Sequence, residues 1–212
     1  KESILSIYPY VDKIIVFWTN KPWGKTNSVL YEGKLVYFPK KFDSILEKIE
    51  ELNLEKIELI KAHTESPYNQ LSVFTNDILL PNFDKPDIIL YPEVDHVFHS
   101  ENIENMLDIV KSKKSTCFRT RQVELWRTLG YRIPERPQRL GTVIWNMKGL
   151  NYLPKTGTQA DDLNKKNIVT LDNHFIHNCG FCVSEKVMLW KHLTAIAFST
   201  DVGDCEPNIS WY

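Results

Sequence analysis

Apolar and polar positions along this chain follow two periods, and through the first half the elements they predict alternate between helix and strand. Glu2 to Tyr10 reads as a short helix-like stretch, and Asp12-Lys13-Ile14-Ile15-Val16-Phe17-Trp18 is a β-branched run typical of a strand. Thr19 to Thr26, which holds Pro22 and Gly24, reads as a loop, and Leu35 to Phe38 as a short strand. Phe42 to Leu54 places apolar residues at 42, 45, 46, 49, 52 and 54, mostly one helical face, with Asp43 near its start. Ile57 to Ile60 predicts another strand. Tyr68 to Leu80 predicts a helix introduced by Ser66-Pro67, where serine caps and proline fits the first turn.

The next segment, from Pro86 to Phe98, is an apolar run that ends in two carboxylates, Glu93 and Asp95. A strand buried on both faces reads as continuous apolar sequence, and carboxylates just past its C-terminal end enter the crevice where open α/β sheets bind ligands. If this stretch stays extended, positions i and i+2 point to one side, so Glu93 and Asp95 can face one divalent ion or its water shell. A solvated turn after a core strand is the plainer alternative.

Beyond it, Ser100 reads as the N-cap of a helix running to about Lys111, with Glu101 and Glu104 in its first turn. Strands are predicted at Ser115 to Leu125 and Thr142 to Asn146, separated by the Pro- and Arg-rich stretch Tyr131 to Leu140. Asn151 to Lys166 is polar and reads as a loop, and Ser184 to Thr194 as a helix with Lys191 and His192 near its C-terminal end. The pattern predicts an α/β fold: one Rossmann-like domain over 1–212, with a mixed, mostly parallel sheet flanked by helices.

Charge changes this picture by exclusion. The 212 residues carry 26 basic and 27 acidic side chains, a formal charge of −1, so no global field recruits nucleic acid or an anionic membrane. No apolar run reaches the ~20 residues that span a bilayer, and no secretory signal pattern is visible, which points to a soluble, cytoplasmic protein. The cysteines are Cys117, Cys179, Cys182 and Cys205. The Cys179-x-x-Cys182 spacing suits half of a zinc site or a redox pair, but no second pair follows it, and buried reduced thiols account for it more simply.

Four segments, in order, resemble the nucleotide-sugar-dependent glycosyltransferases of the GT-A fold, in particular the family-2-like group. Glu2 to Val16 looks like the helix and second strand of that fold. Pro92-Glu93-Val94-Asp95-His96-Val97-Phe98 looks like its acidic metal motif, usually written D-x-D. His177-Asn178-Cys179-Gly180-Phe181 looks like the late H-x-x-G-[FWY] element, with Ser184 to Thr194 as the helix after it, and Trp211-Tyr212 resembles the terminal aromatic pair. The sequence departs from the pattern at Glu93, where aspartate is usual, and in beginning at what looks like the second element. Lys1 in place of Met is consistent with an excerpt of a longer chain.

The resemblance implies a metal-dependent transfer of a sugar, a hexose from a UDP-sugar by preference, to a hydroxyl of a glycan or related acceptor. Residues 1–98 would form the nucleotide-sugar half and 99–212 the acceptor half. It implies Mn²⁺ or Mg²⁺ held by Asp95, with Glu93 direct or through water, and His177 completing the coordination. Donor-binding candidates are Trp18, Thr19, Asn20, Asn69, Gln70 and Glu93, with Asn76, Lys21 and Lys25 as weaker ones. Several have plain alternatives: Trp18 as core, Asn76 on a solvated helix face, His177 as a hydrogen-bonded histidine. For the base that takes the acceptor proton, Glu124 and Asp172 are the candidates. Trp126, Tyr131 and Trp145 are candidates for a sugar platform, and Arg132, Arg136 and Arg139 for an anionic acceptor. Two other classes remain open: a sugar-phosphate nucleotidyltransferase, whose Gly-rich phosphate loop is not visible, and a non-catalytic carbohydrate-binding module.

Overall fold

The computed structural model describes residues 1–19, 28–31, 33–37, 43–64, 70–126, 128–132, 140–153, 168–182 and 188. Helix α1, Glu2–Ile7, continues into a 3-10 turn at Tyr8–Tyr10 whose start accommodates Pro9. Strand β1 follows at Ile14–Trp18, then a hairpin of β2, Ser28–Tyr31, and β3, Lys34–Tyr37. Gly33 in the hairpin turn has φ +70°, a conformation that a Cβ would disfavour. Helix α2 spans Asp43–Glu50, and strand β4, Ile57–Lys61, lies parallel to β1 with Ile14 opposite Ile57. Parallel neighbours need a crossover, and the chain between β1 and β4 supplies one.

Residues 70–82 form one helical run: α3, Gln70–Val73, a π-helical stretch at Phe74–Leu79, and α4, Leu80–Asn82. The N–H of Leu80 reaches back to the carbonyl of Thr75, the five-residue step of a π-turn, just ahead of Pro81, which has no N–H to donate. Strands β5, Ile88–Tyr91, and β6, His96–Phe98, precede helix α5, Ser100–Ser112, and the chain continues through β7, Cys117–Trp126, β8, Leu140–Asn146, and β9, Ile168–Phe181. The N-cap of α5 is His99, whose backbone is extended, and Ser100 is its first helical residue rather than its cap. No helix among the described residues is long and apolar enough to cross a membrane.

The fold is mixed α/β, as expected. Its five-stranded sheet has the order β5-β8-β7-β9-β6, with β7–β9 parallel and β5–β8, β7–β8 and β6–β9 antiparallel. Antiparallel pairs therefore outnumber parallel ones among the described strands. Strands from the second half, β7, β8 and β9, insert between the first-half strands β5 and β6.

Alternation along the strands divides the core in two. Phe118 and Ile144 face one side with Ile7 of α1 and Ile103, Met106 and Val110 of α5. The last three sit at the i, i+3, i+7 spacing that packs one helix face. Cys117, Val143 and Trp145 face the other side with Ile89, Met147 and Leu153, covered by Leu80 of α4. Val16 and Ile57 pack in the first core with Ile88 and Leu90, which brings the β1–β4 pair against β5. Gly141 marks the tightest approach: a Cβ there would stand 2.6 Å from both Thr120 Oγ1 and Ile176 Cδ1.

The expected helix at 184–194, apart from Met188, lies outside the described residues. So do the loop from 154 to 166, the pair Trp211-Tyr212, Asn20, Lys21, Lys25, Asn69, Arg136, Arg139 and Cys205, and the side chains of Gln70 and His174.

Candidate metal centre

Between β5 and β6 the chain turns sharply, closed by the N–H of His96 donating to the carbonyl of Glu93 at 3.0 Å. Of the two geometries open to this stretch, extended and turn, the chain takes the turn, in which positions i and i+3 meet. The consequence is a third participant. Ligand-capable atoms of Glu93, Asp95 and His96 lie within 4.8 Å of one another. Val94 stands exposed at the tip, and Glu93 is exposed while Asp95 is half-buried.

His96 holds this turn from below. It is 2% exposed. Its Nδ1 accepts the Glu93 backbone N–H at 3.2 Å and lies 3.1 Å from the Thr142 hydroxyl of β8, while Nε2 stands 3.7 Å from Glu93 Oε2. With Nδ1 accepting an amide proton, the neutral ring carries its own proton on Nε2, facing the Glu93 carboxylate. The oxygen atoms available to a cation at the turn are those of Glu93 and Asp95, with the His96 ring beneath them. Such a donor set, exposed enough to admit waters as further ligands, fits Mg²⁺ or Mn²⁺.

The surroundings reinforce the turn. Ser3 Oγ of α1 donates to the Glu93 carbonyl at 3.5 Å, and Ser6 Oγ accepts the N–H of Phe98 at 3.1 Å, so α1 covers the free edge of β6. The N–H of Cys179 donates to the Asp95 carbonyl at 2.9 Å. Burial, and then the negative charge of Glu93, pushes the Tyr91 phenol up to about 12. Burial, with Cys182, Asp95 and Glu2, likewise raises the Cys179 thiol, and burial raises Cys182. Both thiols are free and kept protonated, which is the opposite of what a reactive redox pair requires.

From His96 a polar row crosses the sheet: His96 lies opposite Asn178, and Asn178 opposite Glu124. All three are buried, Glu124 to 6% exposure, and Gln122 Nε2 donates to its carboxylate at 3.2 Å. Asp172 lies in an irregular part of β9, where the register with β7 jumps from Thr120–Leu171 to Arg121–Phe175. Its carboxylate accepts from Arg121 Nε at 2.8 Å, and its side chain is well exposed.

His177, expected beside Asp95, is not in the group of three. Strand alternation turns it away from its buried neighbours Ile176 and Asn178, and its Nε2 meets His99 Nε2 at 3.3 Å with the rings edge to face. Burial lowers its proton affinity, and His99 and Arg132 lower it further.

Trp18 ends β1, half-buried, with the Lys61 ammonium 5.1 Å from its ring centroid, and Thr19 Oγ1 lies 3.4 Å from His63 Nδ1. Both therefore sit at the C-terminal ends of the parallel pair β1–β4, where open α/β sheets place ligands. Asn76 is no solvated face residue: its amide donates to the Leu153 carbonyl and accepts the Leu153 N–H, both at 2.7 Å. Trp145, a candidate sugar platform, is 5% exposed core. Trp126 is half-buried, its backbone N–H donating to the carbonyl of Tyr131, which is exposed.

The residue that sequence reasoning passed over is His96. The signal was its place three positions after Glu93, visible once Pro92 to Asp95 is read as a turn.

No protein-family model and no curated protein matches this sequence. Among solved structures, one similar chain is a Bacillus anthracis protein to which glucose-1-phosphate thymidylyltransferase activity has been ascribed, solved in complex with a sucrose. It is 13% identical at a TM-score of 0.38, over 76% of this chain and 72% of that one.

Proposed function

We propose that this chain is a metal-dependent glycosyltransferase that draws the diphosphate of a nucleoside diphosphate sugar to the Glu93–His96 turn and moves the sugar to an acceptor hydroxyl. One observation carries the reading: two carboxylates and a buried orienting histidine converge at the C-terminal end of the core strand β5. A bound Mn²⁺ or Mg²⁺ would neutralise charge developing on the leaving diphosphate. Asp95 and Glu93 would hold it, and the His96 ring would keep Glu93 facing it.

Trp18 and Thr19 are suited to the base and ribose, through an aromatic face and a hydroxyl at the end of β1. For the acceptor proton we favour Glu124 over Asp172. Glu124 stands in one buried row with His96 and Asn178, whereas the Asp172 carboxylate is occupied by Arg121.

The test is calorimetric titration of UDP- and GDP-hexoses with and without Mn²⁺, followed by an assay of hydrolysis or transfer. Nucleotide binding that depends on the metal is the expected result; binding of neither nucleotide in the presence of metal sinks the proposal. Release of pyrophosphate from a nucleoside triphosphate and a sugar 1-phosphate would instead assign the chain to the nucleotidyltransferases.

A further inference from the structure

We propose that His99 and His177 are the two protein ligands of a second cation site, one for a borderline transition ion such as Zn²⁺, separate from the oxygen donors of the acidic turn. The inference stands independently of the glycosyltransferase reading, because it rests on different residues and a different donor chemistry.

Distance is the first argument. Two imidazole nitrogens bound to one tetrahedral zinc at about 2.0–2.1 Å lie about 3.3–3.4 Å apart. The two Nε2 atoms stand 3.3 Å apart. The same separation suits a hydrogen bond between one protonated and one bare ring nitrogen, the contact that a metal would replace.

Placement is the second argument. His177 projects from the middle of β9 between Ile176 and Asn178, both buried, so its backbone is held by the sheet. His99 is the residue at which β6 passes into α5, and its ring is exposed. The pair is therefore presented by two regular elements, which keeps both nitrogens in place before an ion arrives. The His99 ring is exposed, so water can reach it to fill remaining coordination positions.

Donor type decides the ion. Among the described residues the site brings together two imidazoles and no carboxylate, so Mg²⁺ and Ca²⁺, which seek oxygen, are poorly served. Arg132 beside His177 opposes any cation electrostatically, so the ion must gain from the nitrogen bonds themselves.

The experiment is calorimetric titration of the whole chain with ZnCl₂, without nucleotide, alongside nitrogen NMR of the histidine side chains. In the wild type zinc displaces the Nε2 resonances of both rings, whether or not the acidic turn takes up a second ion. His99→Gln and His177→Gln each weaken binding by about tenfold or more, while Asp95→Asn and Cys182→Ser leave it unchanged. His99→Gln guards against misfolding, since its ring is exposed and makes no capping bond. The proposal is overturned if the wild type binds no zinc, if both glutamine variants retain wild-type affinity, or if the loss follows Asp95 or Cys182 instead. Manganese-dependent nucleotide binding is measured separately, so either idea can fail without the other.

Discussion

The acidic turn and the imidazole pair lie three residues apart along β6, yet they are built in opposite ways. At the turn the histidine is buried and immobilised from three directions, and the charged groups are exposed. In the pair the two rings reach the surface and meet chiefly each other. A buried ring supported by an amide, a hydroxyl and a carboxylate can orient a ligand without becoming one. A ring at the surface, with little else to bond, is left to be a donor itself. On the proposed assignments, the occupancy of a histidine's nitrogens, rather than its proximity to carboxylates, decides whether it serves as a metal ligand.

The sharpest way to break this comparison is Asp95→Asn. Metal stabilisation of a leaving group is worth several kcal/mol, so metal-dependent turnover should fall by about 100-fold or more with the fold intact by circular dichroism. Zinc uptake at the pair should not change. Equal loss of both would mean that one site has been described twice.

Stability separates the two regions next. His96→Ala removes a ring packed at 2% exposure and leaves the Glu93 N–H without its acceptor, so unfolding in urea should show a loss of about 2–3 kcal/mol. His99→Ala should stay within about 0.5 kcal/mol, as expected of an exposed ring. If the two variants cost the same, His96 is not the strut of the turn.

Alkaline pH gives a third contrast. The Tyr91 phenol, buried and beside Glu93, is raised from 10.0 to about 12. Between those values the folded state binds more protons than the unfolded chain, so stability falls as pH rises. The contribution is fully present below pH 10 and is lost through about pH 12, amounting to about 2–3 kcal/mol. Tyr91→Phe should flatten that decline, leaving the separate one from Cys117, which burial raises from 9.0 to about 11. An unchanged slope would show that the Tyr91 phenol does not take part in the alkaline transition.

What could be read from the chain follows the range of the contacts involved. Strands β1, β4 and β5 and helix α5 are announced by local period, because each buries a face set by its own residues. β6 escaped because it is only three residues long, and β9 because its sequence alternates irregularly across the shift at Asp172 to His174. The antiparallel share of the sheet depends on which strands insert between β5 and β6, and nothing local to any one strand encodes that. For the site, residue types and their place after a buried strand were legible. The turn that recruits His96, and the meeting of His99 with His177 across 78 positions, were not.

The smallest expected effect tests the support beneath the turn. Thr142 is 1% exposed on β8, and its hydroxyl lies 3.1 Å from His96 Nδ1. Valine keeps the shape and deletes the hydroxyl, while His96 retains the Glu93 N–H, so the loss in stability should be near 1 kcal/mol. Because the hydroxyl acts on the metal only through His96 and then Glu93, Mn²⁺ affinity should fall by no more than about tenfold. Thr142→Ser should restore it, since the hydroxyl returns with only a methyl missing. Zinc affinity at the pair provides the control: His177 projects from the other side of its strand, so a change there in Thr142→Val would mean that the two regions are mechanically coupled through β6.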